Sequence, residues 1–523
     1  MRIDASRGRQ FGVALFALAL GCGQTSNDST LHGDGGSPED ERGGSAAGGS
    51  RPSAGGVVGA DAGAADAGAG RHSIPAGGSS GVAGSEQLTE AGSSTGGDAG
   101  AASAAYKLCR GDRPVSSRDQ YLALVAEECT EIMGALTISL DFDWSSLPPL
   151  TTLTLVGRQM TISHNPRLTS LSGFPELESV GEELTVEDNP ALTALALPKL
   201  SSVGVLSIGG LPPDDLPNSA LTSLSLPNFR TARRLIIAGS PLHDLSGLGG
   251  LETVTDIASL SGPIEALTGL GLASVGSLTI DLPLVKSLSG LEALRQVNQL
   301  SLLELAVSDL TGLHDLVARS VSIGACPKLT SLQGLGSGVL VQEWELYGNE
   351  HMTSLDGMPL AGLKGVYLQG LDQLSSLSVL SDVESLSALS LSTLKGLSNL
   401  HGLERLRDVS DLRLEALPQL STLSGLSGLR NVYTLSLISL GKLEGLGGLS
   451  SLEHIYTDLI LEENPLLSSL APFLSWPPGA VRGSVAIRDN PLLPQCEVEQ
   501  FTITQVTSNT CALCTGNLPG ACP

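Results

Sequence analysis

Eight cysteines and eight histidines give this 523-residue chain its most reactive side chains. Cys511-x-x-Cys514 has the spacing of half a zinc site or of a dithiol redox pair. No histidine stands in an H-E-x-x-H pair or beside two cysteines at zinc spacing, so no metal site is indicated. Gly77-Gly78-Ser79-Ser80-Gly81 formally spells a nucleophile elbow, but no strand precedes it and no helix follows. Gly441-Lys442 is followed by Leu443, which rules out a phosphate-binding Walker loop. Arg110-Gly111-Asp112 is a three-letter match of the kind that arises by chance. Glu463 and Asp489 each precede an Asn-Pro turn and read as solvated carboxylates. No catalytic residue, metal or cofactor follows from these motifs, and the chain is not expected to be an enzyme.

The elements that must position any site come from a repeat. From Val366 the apolar positions run Val366, Leu368, Leu371, Leu374, Leu377, Leu380, Val383, Leu386 and then Leu389, one step of two and the rest of three. Two further 23-residue units repeat this, from Leu389 to Leu412 and from Leu412 to Leu435. A step of two is a strand with alternate side chains facing in. Steps of three drift off one face of an α-helix, and a 3₁₀-helix rarely persists beyond a few residues. Each unit therefore reads as a short strand and a tightly turning return path with every leucine inward. Such units bury their leucines only by stacking.

Strand cores of the same kind fall at Leu136–Ile138, Met160–Ile162, Leu184–Val186, Leu206–Ile208, Leu235–Ile237, a weaker Asp256–Ile257, Leu278–Ile280, Leu300–Leu302, Val321–Ile323 and Trp344–Leu346. After the three regular units come Leu435–Leu437, Leu459–Leu461 and Val485–Ile487. The expectation is a mainly β, right-handed solenoid of about 16 coils over residues 136–490. At ~4.8 Å per coil it spans roughly 75 Å. Gly209 to Asn218 reads as an inserted loop. Several strands end in L-x-L-x-x-N, as from Met160 to Asn165, where the Asn amide can pair turn backbone groups that are otherwise buried unmet. Cys326 takes that position in its coil, as a small apolar filler, and Leu371, Leu394 and Leu417 take it in the regular units.

The net charge of −25 disfavours nucleic acid and anionic lipid headgroups as partners, because both need a basic surface. Aromatic residues make up only 3% of the chain, which suits a leucine core and leaves few stacking platforms.

Residues 1–21 read as a signal peptide: Arg2, Arg7 and Arg9 precede an apolar run from Phe11 to Leu20, too short to span a bilayer. Ala19-Leu20-Gly21-Cys22 resembles the lipobox of bacterial lipoproteins. That resemblance implies cleavage before Cys22, lipidation of Cys22, and a membrane partner reached through the lipid. Gly23 rather than Asp after the cysteine points, within that family, to the outer membrane. Residues 22–104 are Gly, Ala, Ser and Asp with few large apolar side chains, and are expected to form a disordered tether with a reach of about 50 Å. Residues 105–135 read as an N-terminal cap: a helix behind Ser116-Ser117, with Tyr121, Leu122, Leu124 and Val125 on it, stapled by Cys109 and Cys129. Residues 491–523 read as a C-terminal cap. In an exported chain its Cys496, Cys511, Cys514 and Cys522 are expected to form disulfides, and three pairings are open.

Asn165-Pro166-Arg167-Leu168-Thr169-Ser170-Leu171 and Asn189-Pro190-Ala191-Leu192-Thr193-Ala194-Leu195, with Leu-x-Gly-Leu recurring at 245–248, 400–403 and 423–426 among others, resemble leucine-rich repeats. Within these the chain is similar to the receptor L-domain, a ligand-binding solenoid of receptor ectodomains and bacterial surface lipoproteins. The resemblance runs from about Cys129 to Leu493 and implies a non-enzymatic binding protein with an unnamed macromolecular ligand. A structural envelope spacer without a ligand is the alternative. Outward strand positions are mostly small: Thr161, Thr185, Ser207, Thr279, Ser301, Ser322, Ser390 and Ser436. Glu345, Tyr347, Tyr367, Gln369, Arg413 and Glu415 depart from that rule and form the candidate ligand-binding patch.

Overall fold

A computed structural model describes residues 106–140, 144–210, 216–508 and 510–520. The signal segment, Cys22, the tether over 22–104 and Cys522 lie outside the described residues.

Sixteen strand cores stack in parallel, one per coil. In the regular units Val366, Leu389, Leu412 and Leu435 are in direct register, followed by Leu459 and Val485. Their side chains, and those of every three-step position between them, are buried. The return path shows why the period is three. Hydrogen bonds link successive inward leucines: Leu374 N to Leu371 O at 3.1 Å, Leu380 N to Leu377 O at 2.9 Å, and Leu403 N to Leu400 O at 3.2 Å. Each is one tight turn, and short 3₁₀ segments form at Ser246–Leu248, Ser378–Leu380, Ser424–Leu426 and Gly447–Leu449. The glycine of Leu-x-Gly-Leu permits this stacking. Gly402 has φ +106°, and a Cβ on it would lie 2.3 Å from Leu377 O of the preceding coil.

The turn after most strands is tightened by a residue in the left-handed region. His164, Asp188, Glu304, Ala325, Thr393, Ala416, Ser439, Glu463 and Asp489 all have φ between 47° and 58°. Each immediately precedes the ladder position. Glu463 and Asp489 are therefore backbone-turning residues as well as solvated carboxylates.

At the ladder position the asparagines form two runs. Asn165 Nδ2 donates to Asn189 Oδ1 at 2.8 Å, and Asn189 Nδ2 to Asn218 Oδ1 at 3.1 Å. Asn464 Nδ2 donates to Asn490 Oδ1 at 3.2 Å, and Asn490 Nδ2 to Asn517 Oδ1 at 3.3 Å. Asn218 thus closes the insertion after Leu206–Ile208 by returning the chain to the ladder. Asn517 adds a rung inside the C-terminal cap. Cys326 is fully buried in the ladder, and its N–H donates to Asn349 Oδ1 at 2.9 Å.

One strand core needs correction. The sixth is Ala258–Leu260, in register with Leu235–Ile237, and not Asp256–Ile257. A bulge between Val254 and Ile257 shifts the register, and small Ala258 supplies the inward side chain. Asp256 instead faces out and accepts from Arg234 Nε at 2.7 Å.

Both ends extend the sheet. The N-terminal helix Arg118–Glu127 is capped by Ser117, whose Oγ accepts from Gln120 N at 3.3 Å. Tyr121 and Leu124 are buried beneath it, while Leu122 is exposed. Cys109 and Cys129 are bonded with Cα atoms 5.8 Å apart. Leu108–Cys109 and Arg113–Val115 pair with Glu131–Ile132 and Leu136–Ile138, so the cap itself is a first rung. At the other end the helix Gln495–Gln505 buries Val498 and Phe501, and Phe473 stacks on Trp476 at 4.2 Å. Cys511 pairs with Cys514, and Cys496 is also disulfide-bonded.

Candidate functional site

The sheet presents its outward side chains in rows, one side chain per coil at ~4.8 Å spacing. Glu345, Tyr367, Ser390, Arg413 and Ser436 share one row, and Tyr347, Gln369, Ser392 and Glu415 share the next. The six expected residues therefore lie on one face, but they do not converge. Tyr347 turns back over Gly324, where a Cβ would lie 2.3 Å from its ring, and burial raises its phenol pKa. Tyr367 folds over Gly365 on its own strand. Its phenol pKa is raised by burial and then by the carboxylates of Glu343, Asp411 and Glu345. Arg413 closes on Glu415, Nε to Oε2 at 2.9 Å. A coil bearing only Ser390 and Ser392 separates the tyrosines from that pair.

A second constellation lies where each strand is entered, on the C-terminal coils. Tyr433 and Tyr456 come from adjacent coils with ring centroids 5.0 Å apart. The Arg482 guanidinium, from the following coil, sits 5.1 Å from the centroid of the Tyr456 ring. Backbone bonds from Tyr456 N to Val432 O at 3.1 Å and from Thr457 N to Tyr433 O at 2.9 Å fix the stacking. In the preceding coil the same row holds Ser410, so the stack steps from a small residue to an aromatic wall. A cleft of about 240 Å³ opens at that step, lined by Leu386, Asp408, Val409, Ser410, Asn431, Tyr433 and Tyr456. Asn431 Nδ2 donates to Asp408 Oδ1 at 2.7 Å in its lining. Tyr433 is 52% exposed.

Counting back from the strand core misplaces this site. Tyr433 lies two residues before Leu435, whereas Tyr456 and Arg482 lie three before Leu459 and Val485. The last two coils carry one extra residue between their paired segments. The sequence signal that could have found them is the run of aromatic and basic residues at strand entries in consecutive coils.

Among the described residues, Arg110-Gly111-Asp112 and the paired cysteines serve structure. Asp112 Oδ1 accepts from Ala135 N at 2.9 Å, so its carboxylate caps the first rung. Among the described residues one trio, Cys109, Glu127 and Cys129, has metal-ligand proximity, but its two sulfurs are joined in a disulfide. Burial pushes the Cys326 thiol up to about 11, far from a reactive thiolate.

Residues 128–211 match the receptor L domain family. The match begins just before the first full coil and includes the coils that carry Asn165 and Asn189. A leucine-rich-repeat protein of Leptospira interrogans is similar to this chain at 16% identity, with 78% of this chain and 95% of that one covered and a TM-score of 0.29. No curated protein matches. The described residues form a mainly β, parallel leucine-rich solenoid, of which 128–211 match the receptor L domain family.

Proposed function

We propose that this chain is a lipid-anchored cell-surface recognition protein of a bacterial outer membrane. It is held by Cys22 and displays the outward face of its solenoid to a macromolecular ligand without catalysing a reaction. The observation that carries the reading is the aromatic and basic cluster of Tyr433, Tyr456 and Arg482, three large side chains brought together from successive coils. Tyr and Arg are the side chains most enriched in binding surfaces. Strong acidity and a net charge of −25 set the ligand apart from nucleic acid. The spacer reading draws on the run of small outward residues Ser259, Thr279, Ser301 and Ser322, which offer little to grip.

Two measurements test the proposal. Metabolic labelling with a fatty-acid analogue should mark the wild type and not Cys22→Ser; equal labelling removes the anchor. Envelope fragments should bind the protein saturably, and Tyr433→Ala should abolish that binding. Linear, unsaturable uptake favours a spacer.

A further inference from the structure

Resting on the surface-recognition reading, the geometry points to a ligand class: we infer that the cleft beside Tyr433 binds one ring of a neutral oligosaccharide. The ring of Tyr456 meets Tyr433 of the coil before it and Arg482 of the coil after it. Tyr433 closes the stack on the side where the row continues with Ser410, and it lines the cleft there. An uncovered phenol face about the size of a pyranose offers stacking to the C–H face of a sugar. The hydroxyl rim of that sugar then needs donors and acceptors in the same cleft. Asp408 and Asn431 supply both. Their mutual bond at 2.7 Å consumes one carboxylate oxygen and one amide hydrogen. One carboxylate oxygen, one amide oxygen and one amide hydrogen are left over, the mixed set that adjacent hydroxyls require. The Ser410 hydroxyl adds a further donor and acceptor.

Charge selects a neutral sugar. A cationic ligand would want several free carboxylates, but Asp408 is the one charged residue lining the cleft, and it already accepts from Asn431. An acidic sugar meets Asp408 at the cleft and a strongly acidic protein around it. Only two of the six tyrosines of the chain stack on each other among the described residues, and they stand here, beside the cleft.

The test is a printed array of neutral and acidic oligosaccharides probed with the purified full chain, followed by titration calorimetry with the best soluble hit. Wild type should bind neutral oligosaccharides. Tyr433→Ala and Asp408→Ala should each weaken binding about tenfold or more, the scale of one lost stacking or charged hydrogen-bond contact. Tyr433→Trp should restore binding, which separates lost stacking from lost folding. Ser301→Ala, on the outward face of a distant coil, should leave it unchanged. A blank array, a preference for acidic sugars, or affinity indifferent to both Tyr433→Ala and Asp408→Ala overturns the inference. If the array is blank while Tyr433→Ala still loses binding to envelope fragments, the sugar assignment falls and surface recognition stands. If neither responds, both fall.

Discussion

Replacing Asn490 with leucine separates a hydrogen-bonded ladder from an apolar one. The change adds no cavity, and leucine already fills the equivalent buried position at Leu394 and Leu417. By volume alone it should be harmless. The hydrogen bonds say otherwise. Asn490 Nδ2 donates to Leu461 O and Arg488 O, each at 3.0 Å, and Asn490 Oδ1 accepts from Asn464 N at 3.0 Å. Leucine leaves Asn464 N and Leu461 O without these partners inside the stack. At about 1–3 kcal/mol for each buried group left unmet, Asn490→Leu should cost about 2–6 kcal/mol. In a solenoid the loss stays near the altered coil at first. Hydrogen exchange read by peptide mass should show protection between Leu459 and Asn490 falling at least about tenfold, while Val366 to Leu414 stays protected. Unchanged protection in the C-terminal coils would refute the ladder as a structural necessity.

Three further outcomes follow from the same core. Leu400→Asp, fully buried between Leu377 and Leu423, should lose more than the about 2–5 kcal/mol expected of a Leu→Ala truncation, whereas Ser390→Asp on the outward row should stay within about 0.5 kcal/mol; limited proteolysis that treats both alike would deny the inward assignment. Cys326, with its thiol pushed up to about 11 by burial, should resist an alkylating reagent at neutral pH until the protein is unfolded, and peptide mapping of native samples checks this. Asp281 has its carboxyl raised by burial and then by Glu304, so the folded state holds the proton more tightly than the unfolded chain and stability falls as pH rises through the raised value. Asp281→Asn should therefore stabilise the protein at neutral pH and make no difference below the ordinary carboxylate range; thermal unfolding at the two pH values decides it.

The architecture was legible because leucine does one job here. A strict two-then-three step leaves no other structure able to bury every apolar side chain, and the registers from Val366 to Leu459 follow it. The reading weakened where side chains shrank or the chain lengthened. Ala258 is too small to announce an inward rung, so Asp256–Ile257 stood in for it. Asn218 closes an insertion, which hid its membership of the ladder. Cys109 and Cys129 were readable as a staple, but the cap that they hold also proved to be a rung, since Arg113–Val115 pairs with Leu136–Ile138. The candidate site was the least legible part. Outward residues obey no packing constraint, so their types say nothing about where neighbouring side chains lean. Tyr347 and Tyr367 share a face yet fold over different glycines. Tyr456 and Arg482 align with Tyr433 only because one extra residue enters each of their coils.

The most direct test of the account is a binding isotherm of fluorescently labelled Cys22→Ser protein on envelope fragments, alone and carrying Tyr433→Ala. The account predicts saturable binding that Tyr433→Ala abolishes and Tyr433→Trp retains. Binding that never saturates, or that is the same with and without the tyrosine, would contradict recognition through this face of the solenoid.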